Sequence, residues 1–207
     1  MEQRRDNYEY TKEKIRPRFL EYDQEQMIRR FSLEADEAYL YVPFAGETFR
    51  IDRSTGTVEK LLPGGGTRPG NYEEALTIYD VLCNGRPEMG TGTRWCLVNS
   101  LPGVGQNSGV GESLHRDCAD RICARPEAFR RACRELGGRE IPLGDLGFEI
   151  PVFPFFPVRL RLYFPDEEFS SRLSLLFHDR TLYYMHYETT FYAASCLMEA
   201  VFERMKE

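Results

Sequence analysis

Hydrophobic and polar residues alternate in two neighbouring stretches near the C-terminal end of the chain. In residues 158–164 every second residue is apolar, and residues 172–177 repeat the pattern after the segment FPDEEFSS. Such alternation is typical of a half-buried strand. Folding the chain at the acidic segment places Leu162 opposite Leu173, with both apolar rows on one face. The pattern therefore predicts an antiparallel hairpin with a solvated, acidic tip.

The acidic segment Asp166 to Glu168 has two interpretations. Three adjacent carboxylates could form a metal or acid–base site, or they could be a solvated turn. We favour the turn, because Pro165 followed by Asp166 is common turn chemistry. Catalytic carboxylates also need a pocket that perturbs their pKa values, and hairpin tips are normally wet.

Helical periodicity marks several other segments. Apolar residues recur every three or four positions over residues 7–31, where Pro17 is expected to divide the segment into two short helices. Asn71 is predicted to cap a helix that runs to Gly85. Further helices are predicted to start near Ser113, to span residues 125–136, and to start at Tyr187.

The remaining segments are β-rich or rich in glycine. Residues 39–44 and 48–51 read as strands of a meander, whereas LPGGGTRPG at 62–70 reads as a flexible connector. Residues 102–111, PGVGQNSGVG, give an irregular Gly-rich middle segment. The sequence thus predicts one α+β domain over residues 1–207, in which an antiparallel sheet has helices packed on one face.

The composition of the chain indicates its cellular environment and excludes some classes of partner. A hydrophobic fraction of 42% and a charged fraction of 29% in 207 residues are those of a globular protein. The net charge is −6 and the basic residues are scattered among acids, which argues against nucleic acid as a partner. No apolar run reaches the length of a membrane span, and MEQRRDNYEYTKEK carries charges where a signal peptide would be apolar. We therefore expect a cytoplasmic protein with no membrane partner.

The six cysteines are expected to be thiols rather than disulfides in such a compartment. No CxxC pair occurs, although paired CxxC knuckles are the usual mark of a zinc site. We therefore predict no metal site. The alternative metal ligands are Cys118, Cys123, Cys133, His178 and His186.

The best candidate for chemistry is the Gly-rich segment, because backbone amides at a helix start can bind an anion. The lysine of a P-loop and the glycine spacing of a dinucleotide fold are both missing from it. The polar residues that could converge beside it form a candidate ligand-binding set: Arg94, Asn107, Ser108, His115 and Asp117. The sequence indicates no cofactor and no catalytic residue.

The run IPVFPFFPVRLRLYFPDEEFSSRLSLLFHDRTLYYMHYET, together with VPFAGETFRIDRSTGTV and YEEALTIYDVLCNGRP, resembles an uncharacterised bacterial and archaeal family, domain of unknown function 3786. Members similarly have an aromatic–proline lead-in, a DEEF-like turn and a tyrosine-rich segment before an acidic residue. His178 stands as an insertion where the family tends to read LFD. Some relatives carry a cysteine-rich iron–sulfur module, which this chain lacks. The resemblance implies no activity.

Three classes of function follow from these observations. The sequence favours a small-ligand-binding or regulatory domain, with its ligand beside the Gly-rich segment. One alternative is an enzyme that uses a pocket around residues 102–111. The other is a protein-interaction module that uses the aromatic and proline residues at 151–157, PVFPFFP, which would require an exposed row of phenylalanines.

Overall fold

The computed structural model describes residues 16–104 and 116–206, apart from the side chains of Arg116 and Asp117. The chain divides into two compact units. The first unit consists of Met1–Met89 and Tyr183–Cys196, and the second of Gly90–Leu182 and Leu197–Glu207. Each unit contains its own five-stranded antiparallel sheet. The described elements confirm the α+β class, but two sheets replace the one sheet that the sequence predicted.

The first unit holds the predicted meander, in the order β1-β2-β3-β4-β5. Leu40 pairs with Ile51, and Ile51 pairs with Val58, so the buried apolar residues of three strands form one row. Burial of this row explains why the alternation in the sequence is so regular. The strands are β1 Glu34–Ala35, β2 Tyr39–Phe44, β3 Glu47–Asp52, β4 Val58–Leu61 and β5 Thr67–Pro69.

The predicted connector at residues 62–70 is only partly irregular. Gly64, Gly65 and Gly66 all have positive φ, so a tight turn returns the chain onto β4 and residues 67–69 form β5. Proline is tolerated there because Pro69 lies on an edge strand. The expectation that glycine and proline would exclude a strand here was therefore wrong.

The helices of the first unit begin at identifiable caps. Helix α1, Gln24–Phe31, starts after Asp23, whose carboxylate accepts a hydrogen bond from the Gln26 amide. Residues 16–19 are also helical, so the break predicted at Pro17 occurs a few residues later. Helix α2, Tyr72–Asn84, starts with a reciprocal capping box between Asn71 and Glu74, as the sequence predicted for Asn71.

The second unit contains the predicted hairpin. Its sheet has the order β6-β10-β9-β8-β7. Leu162 pairs with Leu173 and Leu160 pairs with Leu175, which confirms the predicted register. The strands are β6 Trp95–Cys96, β7 Arg139–Ile141, β8 Leu146–Phe153, β9 Phe156–Tyr163 and β10 Arg172–His178.

Two helices cover this sheet. Helix α3, Arg116–Cys123, contacts β10, and α4, Pro126–Glu135, contacts α3 and β7. Phe129 of α4 packs edge-on against Phe148 of β8, with ring centroids 5.7 Å apart. Pro126 occupies the first turn of α4, as predicted, because that position needs no amide donor.

The final helix, α5, spans Tyr187–Arg204 and starts at the predicted residue. The division between the two units falls within α5, after Cys196. Among the described helices, none combines the length and the apolar character that a bilayer crossing requires.

Candidate functional site

One face of the second sheet carries a concentration of positive charge, and we call it the arginine face. Residues that pair directly across antiparallel strands point to the same side of a sheet. The register therefore assembles one set of side chains on this face: Trp95, Arg139, Glu149, Arg159, Arg161, Tyr163, Arg172 and His178. The described strand positions of this face carry four arginines and one glutamate, although the whole chain has a net charge of −6.

Glu149 connects two of these arginines. Its Oε1 accepts from Arg139 Nη2 at 2.7 Å, and its Oε2 accepts from Arg159 Nε at 2.8 Å. Burial alone would raise the pKa of Glu149, but the two guanidinium hydrogen bonds outweigh it and lower the pKa. Glu149 is therefore a fixed anion that orients Arg159.

The guanidinium of Arg159 is also stacked on the only tryptophan of the chain. Its Cζ lies 4.0 Å from the centroid of the Trp95 ring. A guanidinium over an indole face is attracted by the ring quadrupole, most strongly where water is excluded. With Nε bound to Glu149 and its plane on Trp95, the side chain has little remaining freedom.

His178 lies beside Trp95 and is completely buried. Its ring makes edge contacts with Trp95 at 5.8 Å and lies 5.0 Å from Phe156, centroid to centroid. Burial lowers the pKa of His178 to about 4, so the imidazole is neutral at physiological pH.

The hydrogen bonds of His178 also fix its tautomer. Its Nδ1 accepts from the Gly92 amide at 3.3 Å and from the Arg180 amide at 3.2 Å. Because Nδ1 accepts, the proton of the neutral ring is on Nε2. His178 is thus a neutral donor on the arginine face.

Arg161 has a buried donor atom on the arginine face. Its Nε is buried, and no described residue accepts a hydrogen bond from that atom. Its guanidinium lies 5.5 Å from the Tyr163 ring centroid, and that contact supplies no acceptor for Nε. A buried cationic donor without an acceptor is costly, which makes this position a candidate for binding an anion.

Part of the arginine face is covered. Ser174, Leu176 and His178 of β10 are all buried on this side of the sheet. The 3₁₀ turn Val98–Ser100 contacts β10, and both Val98 and Leu101 are buried. Such cover lowers the local dielectric and strengthens the field of the neighbouring arginines.

Only some of the ligand residues predicted from the sequence lie within the described residues. Arg94 is exposed and directly precedes Trp95, and its carbonyl accepts from the Asp179 amide at 2.8 Å. Asp117 belongs to helix α3, but its side chain lies outside the described residues. Asn107, Ser108 and His115 also lie outside them. The convergence of these five residues therefore stays a prediction.

Sequence reasoning missed Trp95, Arg159 and Arg161 as site residues, and it considered His178 only as an alternative metal ligand. The alternation in β9 indicated that Arg159 and Arg161 share a face, and that signal was interpreted only as the outer side of a strand. The pairing of β6 with β10, which adds Trp95, joins segments about eighty residues apart and leaves no periodic signal in the sequence.

The aromatic–proline segment at 151–157 does not present an exposed row of phenylalanines. Phe153 and Phe156 are completely buried, and Phe155 stacks on Phe153 with centroids 5.3 Å apart. The segment forms the connection from β8 to β9, so its aromatic residues belong to the core of the second unit. This burial removes an observation that would have favoured the protein-interaction alternative.

The acidic segment forms the exposed tip of the hairpin. The Asp166 carboxylate accepts from the amides of Glu168 at 2.9 Å and Phe169 at 2.7 Å. These bonds lower the pKa of Asp166. The geometry is that of an Asx turn, as the sequence predicted.

The cysteines are all thiols. Burial raises the pKa of Cys83 to about 12 and also raises the pKa of Cys133, which keeps both protonated. Within residues 16–104 and 116–206, no three His, Cys, Asp or Glu side chains are grouped so as to hold a metal ion. The expectation that the protein has no metal site stays a prediction.

Comparison with known proteins supports one assignment. No curated protein and no solved structure matches the chain. One family model, described as Domain of unknown function (DUF3786), matches residues 23–200. This match includes the meander, the arginine face and most of helix α5. The chain therefore belongs to the DUF3786 family of domains of unknown function.

Proposed function

We propose that the protein is a small-ligand-binding domain and that its ligand is an anion bound at the arginine face. A carboxylate or phosphate group is the chemistry that two neighbouring guanidinium groups recognise best. The excess of arginine on this face supports the proposal, because the net negative charge of the chain would otherwise repel anions.

The observation that carries the proposal is the buried Nε of Arg161, which has no acceptor among the described residues. An oxyanion at this position would supply the acceptor and the compensating charge together. The gain on binding is large, because a buried donor has no water to lose.

Arg159 would supply the second contact. It stands two residues from Arg161 on the same strand, so their Cα atoms are separated by about 7 Å. Glu149 and Trp95 hold the guanidinium in place before a ligand arrives. This preorganisation reduces the conformational entropy that binding would otherwise cost.

Arg94 is the sequence-predicted residue that fits this proposal most directly, because it adjoins Trp95 at the β6 edge of the face. Its exposed side chain would contribute to attraction and selectivity rather than to a buried contact. Asn107, Ser108, His115 and Asp117 are proposed as further ligand contacts because of their chemistry and their spacing in the sequence.

Isothermal titration calorimetry with inorganic phosphate, succinate and a nucleoside monophosphate tests the proposal. We expect at least one of these anions to bind, and Arg161→Met to weaken that binding by about ten- to a hundredfold, as loss of a charged hydrogen bond predicts. Arg134→Met is the matched control, because it removes the same charge from an exposed position on α4.

Circular dichroism melts of both variants establish that they are folded. Absence of binding by all three anions to the wild-type protein would refute the proposal. Equal weakening by Arg134→Met would also refute it, because net charge rather than the arginine face would then account for the affinity.

A further inference from the structure

The first unit contains a second arrangement of chemical groups, unrelated to the arginine face. Asp80 lies on helix α2, and His186 lies immediately before helix α5. His186 Nδ1 is 2.5 Å from Asp80 Oδ1, and the His186 amide donates to Asp80 Oδ2 at 2.7 Å. Both carboxylate oxygens of Asp80 are therefore within hydrogen-bonding distance of His186.

Asp80 is well placed to orient the imidazole. Its side chain is only 10% exposed, and Asn84 Nδ2 donates to its Oδ1 at 2.9 Å. Three hydrogen bonds therefore fix the position of this carboxylate beside the ring. Because Asp80 Oδ1 is an acceptor, the neutral imidazole of His186 carries its proton on Nδ1.

The other ring nitrogen is then an acceptor. With Nδ1 protonated, Nε2 has the lone pair, and the His186 side chain is 66% exposed. A carboxylate on one nitrogen fixes the tautomer and the orientation of the ring, as in the orienting pair of a catalytic triad or the carboxylate behind a metal-bound histidine. His178 differs from His186 in this respect, because the buried His178 uses Nδ1 as an acceptor.

The segment before His186 runs along the end of α2, since the Arg86 amide donates to the Tyr183 carbonyl at 2.8 Å. Arg30 Nη1 donates to the Gly85 carbonyl at the same end, at 3.3 Å. Burial and the charge of Asp80 raise the pKa of Cys83 there, and the charge of Arg18 opposes this rise.

We propose that His186 is a phosphoryl-accepting residue, with Nε2 as the nucleophile and Asp80 as the positioning residue. The donor is a small molecule with an activated phosphoryl group on nitrogen, of the phosphoramidate class. The donor reacts in the form whose amino nitrogen is protonated. The Nε2 lone pair attacks phosphorus and forms a new N–P bond, while the N–P bond of the donor breaks and its electron pair leaves on neutral ammonia. The ammonia takes a proton from water. The Nδ1 proton stays on the ring, and Asp80 balances the positive charge of the phosphorylated imidazole.

Incubation of the full chain with potassium phosphoramidate tests this proposal. We expect one phosphoryl group per chain by intact mass, located at His186 by peptide mapping at alkaline pH, and lost in His186→Gln. Asp80→Asn should slow the reaction about ten- to a hundredfold, which is the usual effect of removing an orienting carboxylate. Glu188→Gln, which removes an exposed charge two residues away, should change the rate by less than about twofold.

A phosphoryl group found on another histidine only, or an unchanged rate in Asp80→Asn, would overturn the proposal. Should Asp80→Asn fail to fold, ¹⁵N NMR of the wild-type imidazole gives an independent decision. In the neutral imidazole a protonated Nδ1 and an unprotonated Nε2 are expected, and the opposite tautomer would exclude the proposed nucleophile.

Discussion

At the scale of single residues, His178 shows how burial converts a titratable group into a structural one. The imidazole is surrounded by Trp95 and Phe156, and two backbone amides donate to its Nδ1. Protonation would place the second proton of the ring on Nδ1, which already accepts hydrogen bonds, within an apolar environment. Both effects oppose the charged form.

The pH dependence of stability should report this cost. The pKa of His178 is about 4 in the folded protein and about 6.5 when the chain is unfolded, so between these values the unfolded state binds the extra proton. Stability contributed by the neutral ring is therefore complete above pH 6.5 and decreases as the pH falls toward 4, by up to about 3 kcal/mol.

Urea unfolding at pH 7 and pH 5 measures this effect. His178→Gln keeps an acceptor for the two amides but does not titrate, so the difference between the two pH values should be smaller in the variant. If the stability of the wild-type protein and of His178→Gln depended on pH in the same way, the prediction would be wrong. His178 would then be protonated or exposed to water in the folded protein.

At the scale of elements, the β9–β10 hairpin was the most predictable part of the structure. Its register follows from two apolar rows that must reach the same face, because a shift of one residue would bury arginines. The connector at 62–70 was less predictable, since three consecutive glycines fit either a flexible linker or a tight turn. Only tertiary pairing with β4 decides between these possibilities.

The hairpin tip gives a prediction for this element. Asp166→Ala removes the acceptor for the Glu168 and Phe169 amides, whereas Glu167→Ala removes an exposed side chain. We expect a clear decrease in Tm for Asp166→Ala and almost no change for Glu167→Ala. Asp166→Asn retains an acceptor oxygen, so its Tm should be much closer to that of the wild-type protein than the Tm of Asp166→Ala.

Thermal melts with and without divalent cations complete this test. If Mg²⁺ or Zn²⁺ raised the Tm of the wild-type protein and not that of the variants, the acidic segment would be a metal site, and the turn interpretation would be wrong.

At the scale of the whole molecule, the sequence predicted the fold class but not the partition into two sheets. Alternation identifies strands and their faces, yet it does not state which distant strands share a sheet. The same limit applies to the candidate site. Arg94 was predicted from its chain position, whereas Arg161 became a site residue only when the register and its buried Nε were known.

The chain order of the units gives a prediction about fragments. A fragment of residues 1–89 lacks residues 183–196, which complete the first unit. Such a fragment cannot form the Asp80–His186 pair or the edge contact between Tyr72 and Tyr192. We expect it to have no cooperative thermal transition by circular dichroism, and a peptide of residues 183–196 to restore one. A cooperative transition in the fragment alone would contradict this expectation.

The stacking of Arg159 on Trp95 has an optical consequence. Because the chain has one tryptophan, its intrinsic fluorescence comes from a single indole on the arginine face. A cation held 4.0 Å above that ring and a histidine at its edge both influence its emission. Any event that moves Arg159 or protonates His178 therefore changes the spectrum of the unlabelled protein, so the molecule carries its own reporter at the proposed site.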